Sequence, residues 1–74
     1  MSIEEQTEFE YRSIINLLRK YMKRIQPQCF ASAFGIFLKL KNRCECYGID
    51  VKEDVSDIYA YAKAEQIEKF GFEY

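Results

Sequence analysis

The chain contains no histidine, a single proline, and three glycines that stand apart at 35, 48 and 71. Without histidine it lacks the commonest general base, every Ser-His or Cys-His pair and the usual zinc ligand. With the glycines scattered, no phosphate-cradling loop forms, and neither P-loop nor EF-hand spacing occurs. Catalysis, a metal and a cofactor are therefore not expected. Few glycines and prolines also argue against disorder, because hydrophobic residues make up 49% of the chain and six are Phe and six Tyr. At 74 residues there is one core and no second domain. A core of this size supplies only roughly 3–5 kcal/mol of net stability, and domains this small often add disulfides, a metal or a partner subunit.

Long apolar runs are missing too. The longest, from Cys29 to Leu38, contains Ser32 and Gly35 and stops at Lys39, about half of the ~20 residues a membrane span needs. The cysteines, Cys29, Cys44 and Cys46, are odd in number. Two of them lie two apart in a helical stretch, where their side chains diverge by about 200°. No disulfide framework is expected, and a zinc site lacks its fourth ligand; packing against the fold is the expected role of all three. Unpaired thiols suit a reducing compartment, and Met1-Ser2-Ile3-Glu4-Glu5 is acidic where a secretory signal is basic and then apolar. Ser2 argues against N-myristoylation, and Gly71-Phe72-Glu73-Tyr74 is not a prenylation box. The expected location is the cytoplasm, with no membrane partner.

Three helical segments are present. Tyr11, Ile15, Leu18, Met22 and Ile25 recur at steps of four and three, with Ile14, Leu17 and Tyr21 widening the stripe, so the first helix is predicted over about 4–25. Ser2 with Glu5 three residues on is its capping box, and Pro27 closes it. The second helix, about 28–47, carries Phe30, Ala33, Phe37, Leu40, Cys44 and Tyr47 on one stripe. Cys29, Phe34, Ile36 and Leu38 make its first half apolar nearly all round, as befits a central element. Pro27 suits its first turn, and Gly48 is placed to end it in the left-handed conformation. Gly35 inside it is either a notch for a neighbouring helix, helped by Ala31, or a kink. Asp50 with Glu53 signals a third helix over about 51–70 through Val51, Val55, Ile58 and Ala62. The expected fold is all-α, a small three-helix antiparallel (up-down-up) bundle. Leu18, Phe37 and Ile58 belong to its shared interior, and a dimer is a further expectation.

Charge is segregated along the chain. Residues 1–10 hold four acids and no base, residues 11–44 eight bases and no acid, and residues 45–74 eight acids and three bases. Much of this follows the helix dipole, with acids opening each helix and bases closing the first two. The exception is Arg19, Lys20, Lys23 and Arg24, which crowd one end of the first helix at repulsive i,i+4 spacings with only Glu65, Glu68 and Glu73 to answer them. Glu53 and Asp57 have the spacing of a carboxylate pair but also that of a solvated helix face. A helix-turn-helix around Gly48 fails on sign, because its recognition helix opens with Asp50, Glu53, Asp54 and Asp57.

Twelve aromatic rings exceed what so small a bundle covers. Those near the C-terminus, Tyr61, Phe70, Phe72 and Tyr74, with Tyr59 beside them, are expected to provide apolar anchors for a partner, and Arg19, Lys20, Lys23 and Arg24 to steer it. The expected function is that of a non-catalytic protein-interaction module, a regulator or inhibitor that occupies a surface of another macromolecule or of a second copy. Two alternatives stand beside it. One is nonspecific nucleic-acid binding through Arg12, Arg19, Lys20 and Lys23 of the first helix; the other is a structural subunit of a larger assembly. Short chains of this composition are common among phage and mobile-element products, an association of size alone.

Overall fold

The computed structural model describes residues 2–65. These residues form an all-helical bundle with no strand among them: α1 (Ile3–Arg24), α2 (Pro27–Cys46) and α3 (Ser56–Ala64). The continuation of the third helix toward residue 70 and the rings of Phe70, Phe72 and Tyr74 lie outside the described residues.

Helix α1 starts where its cap predicts. The Ser2 hydroxyl accepts the Glu5 N–H at 3.2 Å, and Glu4 and Glu5 occupy the positive first turn. Tyr11, Ile14, Ile15 and Leu18 are buried. The stripe weakens beyond Leu18, since Met22 is half-buried and Ile25 is exposed. Ile25 departs from the predicted stripe because it is no longer helical: its φ of 54° is left-handed. Its N–H reaches Met22 O at 3.3 Å and the Gln26 N–H reaches Tyr21 O at 3.1 Å, the pair of bonds of a Schellman ending.

Two residues later Pro27 opens α2, which runs unbroken through Gly35. The helix folds back along α1, so that Tyr11 stacks on Phe37 with ring centroids 5.5 Å apart. Ile3, Gln6 and Thr7 at the start of α1 border one hollow with Arg43 and Tyr47 at the end of α2. Phe30, Phe34 and Phe37 are fully buried with Ile15, Leu18 and Ile58, each burial contributing roughly 1.5–3 kcal/mol. Their rings form a column, Phe30 to Phe34 and Phe34 to Phe37 each at 5.6 Å. The all-round apolar first half of α2 is only partly enclosed: Phe34 is buried and Leu38 half-buried, but Cys29 and Ile36 are exposed. Gly48, at φ 71°, ends α2 as predicted. Its N–H bonds Glu45 O at 3.2 Å and the Ile49 N–H bonds Cys44 O at 2.8 Å.

The third helix begins five residues later than its predicted start. Residues 49–55 form a strap outside any helix, in which Ile49, Val51, Glu53 and Val55 are half-buried and the residues between them exposed. The Asp50–Glu53 capping signal is not used, because the Glu53 carboxylate is held by Arg12 at 3.0 Å. Asp54 sets the start instead: its Oδ1 accepts from the Ser56 N–H at 3.0 Å and from the Ser56 hydroxyl at 2.8 Å. Ile58 and Ala62 then enter the core fully, and the Tyr59 ring meets Phe34 and Phe37 edge-on at 5.9 and 5.8 Å. Strap and α3 cover one side of the α1–α2 layer. No helix among the described residues is long and apolar enough to cross a membrane.

Candidate functional site

The four cations grouped by the sequence line one hollow, but they differ in what else they touch. Arg19 is half-buried and turned toward α3. Its guanidinium donates to the Asp54 carbonyl at 2.7 Å, meets Asp57 at 3.3 Å and approaches Glu53 at 3.9 Å. Arg12 likewise bridges Glu8 and Glu53 at 3.3 and 3.0 Å. Glu53 and Asp57 thus both face arginines of α1, Glu53 half-buried and Asp57 exposed. Lys20, Lys23 and Arg24 remain exposed, and with Asn16 and Arg19 they line an open hollow of about 610 Å³.

Tyr61 faces inward. Its ring lies 4.6 Å from that of Phe30, and its hydroxyl is buried with no hydrogen-bond partner among the described residues. Burial, followed by the charge of Glu65, raises its pKa. The other three anchors, Phe70, Phe72 and Tyr74, lie outside the described residues, so the predicted C-terminal cluster is represented here by one half-buried ring.

The cysteines also divide. Cys44 is buried, and burial, then Glu8 and Glu45, push its thiol pKa up, which disfavours the thiolate that reactivity or metal binding needs. Cys29 and Cys46 are exposed, contrary to the expected packing role, because each sits on a helix face left open among the described residues. Nearby, Lys41 Nζ lies 5.6 Å from the centre of the Tyr59 ring and 3.6 Å from Glu45. A hydrogen bond to Tyr59 is the main cause of its raised pKa. Among the described residues no three His, Cys, Asp or Glu side chains gather as a metal site.

An apolar opening that the sequence pattern does not single out lies elsewhere on the molecule. On the α1–α2 layer a groove of about 390 Å³ runs between Phe9, Ile14 and Leu17 of α1 and Ile36 and Leu40 of α2. Ser13 leaves room at its floor, and Glu10, Lys39 and Arg43 stand along its rim. No residue of the strap or of α3 lines it. The α1 side chains involved lie roughly 140° around the helix from Arg12 and Arg19, so the groove opens away from α3. Phe9 is 64% and Ile36 53% exposed, and both flank the same hollow. The two exposed side chains thus form one apolar patch with the hollow between them rather than scattered single residues. The signal was faint in sequence: Phe9, Ser13 and Leu17 are spaced at i,i+4 beside the main stripe, and Ile36 appeared only as surplus hydrophobicity.

No family model, curated protein or solved structure matches this chain. What its surface does follows from the groove and the cationic edge.

Proposed function

We propose that this chain is a small non-catalytic protein-interaction module, a regulator or inhibitor that acts by occupying a protein surface, whether of another macromolecule or of a second copy, and that its docking surface is the α1–α2 groove. The observation that carries this reading is the pairing of exposed Phe9 and Ile36 across one apolar hollow. A trough between two helices accepts the apolar face of a third by the helix-in-groove mode, and each large side chain it covers contributes roughly 1.5–3 kcal/mol. The lack of histidine and the raised thiol pKa of Cys44 support a non-catalytic role. In this reading the helices run up, down and up, the chain works in the cytoplasm, where three unpaired thiols stay reduced, and Lys20, Lys23 and Arg24 steer an acidic partner.

Nonspecific nucleic-acid binding is the second reading, carried by the exposure of Lys20, Lys23 and Arg24. With Arg12 and Arg19 already facing carboxylates, it predicts a shallow salt dependence, a log–log slope no steeper than about −3 for three phosphate contacts. A subunit of a larger assembly would use the same groove. Affinity capture from the native cell tests the main reading with three variants beside the wild type: Ile36→Lys, Lys20→Glu with Lys23→Glu, and Phe72→Ala with Tyr74→Ala. Ile36→Lys is expected to abolish recovery while circular dichroism stays helical. If it recovers the same proteins as the wild type, the groove is not the docking surface.

A further inference from the structure

The groove face carries both halves of a contact. Phe9 and Ile36 project beside a hollow floored by Leu17 and Leu40, and a twofold interface requires one patch to be knob and hole at once. We propose that the occupant of the groove is a second copy of this chain, related by a twofold axis parallel to the helices, so that each α1 lies on the α2 of the other copy. The proposal rests on the groove being the docking surface and names what docks there.

Charge selects both the occupant and the axis. Glu10 stands on the α1 side of the groove, and Lys39 and Arg43 on the α2 side. Glu10 and Arg43 also border the hollow where the start of α1 meets the end of α2, so they stand at the same end of the layer. An axis parallel to the helices keeps that end in register and exchanges α1 for α2. Glu10 of each copy then faces Arg43 of the other, and the four side chains close a ring of alternating sign. Neighbouring helices also run in opposite directions throughout, which opposes their dipoles. An axis perpendicular to the helices lays α2 on α2, brings Lys39 toward its own symmetry mate and gives Glu10 no cation from the other copy. The parallel axis pairs Glu10 and Arg43, two of the three charged residues of the rim, across the interface.

A core of one buried aromatic column also gains most from a second copy, since so small a domain holds little stability alone.

Sedimentation of the full chain over a concentration series is the test, with Ile36→Lys, Glu10→Arg, Arg43→Glu and the double charge swap alongside. The wild type is expected to approach twice its 8.9 kDa mass. Ile36→Lys should be monomeric with unchanged helical circular dichroism. Each single charge reversal should weaken the dimer roughly tenfold, because the rim pair occurs twice, and the double swap should restore it. A wild type that stays monomeric at every concentration overturns the proposal, as does a dimer indifferent to Ile36→Lys. A dimer lost with Ile36→Lys but not rescued by the double swap overturns the assigned axis. If the chain is monomeric yet capture through Ile36 recovers a different protein, the second copy is refuted and the docking surface stands; if Ile36→Lys changes neither, both fall.

Discussion

Ile25 and Gly48 hold the same place at the ends of α1 and α2. Each is left-handed, at φ 54° and 71°, and each begins the same pair of closing hydrogen bonds. One is a glycine and the other a β-branched residue, for which that conformation costs about 1–2 kcal/mol. Ile25 is 75% exposed and recovers little of this by burial. Ile25→Gly is therefore expected to stabilise the fold by roughly 0.5–1 kcal/mol after the added chain entropy of glycine, read as a higher urea midpoint. At Gly48 a new Cβ would meet nothing within 4 Å, so Gly48→Ala should cost only its backbone strain, about 1 kcal/mol.

Arg19 separates from its neighbours by function. Its bond to the Asp54 carbonyl and its contact with Asp57 fasten α1 to the start of α3. Exposure discounts these pairs, so Arg19→Ala is expected to lower stability by about 1 kcal/mol. Lys20→Ala, one residue on, should stay within ~0.5 kcal/mol of the wild type. Denaturant titration of both variants checks the contrast; equal effects would mean that the strap does not depend on Arg19.

Hydrogen bonds from the Ser56 N–H and hydroxyl, with Arg19 a lesser cause, hold the Asp54 pKa below its ordinary 3.8. A depressed folded-state pKa stabilises the fold above the unfolded value, and that contribution disappears as pH falls through the folded one. The stability difference between the wild type and Asp54→Ala should thus be full at neutral pH and shrink below about pH 3.8. Urea midpoints across an acid series measure it; a difference that grows in acid would contradict the assigned bonds.

The three thiols should react in two classes. Cys29 and Cys46 are exposed and Cys44 is buried with a raised pKa, so a thiol reagent in native buffer should modify two per chain promptly and the third only on unfolding. Peptide mapping by mass spectrometry identifies which. Prompt labelling of Cys44 would place it outside the core.

The ends of α1 and α2 were readable because their signals are local. Ser2 with Glu5, Pro27 and Gly48 each act within four residues, and the structure uses them all. The strap was misread because Val51, Val55, Ile58 and Ala62 fit a helical repeat while Ile49, Val51 and Val55 fit a twofold one. Over seven residues the two periods are indistinguishable. What decides between them is distant in sequence, the hold of Arg12 and Arg19 on Glu53. Arg19 and Lys20 share one end of α1 and one hollow, but consecutive helical residues point about 100° apart, and Arg19 turns toward α3. The groove stayed hidden because an apolar residue off the main stripe becomes meaningful only once the side covered by α3 is known.

That the α1–α2 face is a docking surface is tested most directly by a photo-crosslinking amino acid placed at Ile36 in the full chain, in its native cell, with the same group at exposed Gln28 as control. Crosslinking from position 36 to a discrete protein, the chain itself included, with none from position 28, is the predicted result. Equal or absent crosslinking from both positions would contradict it.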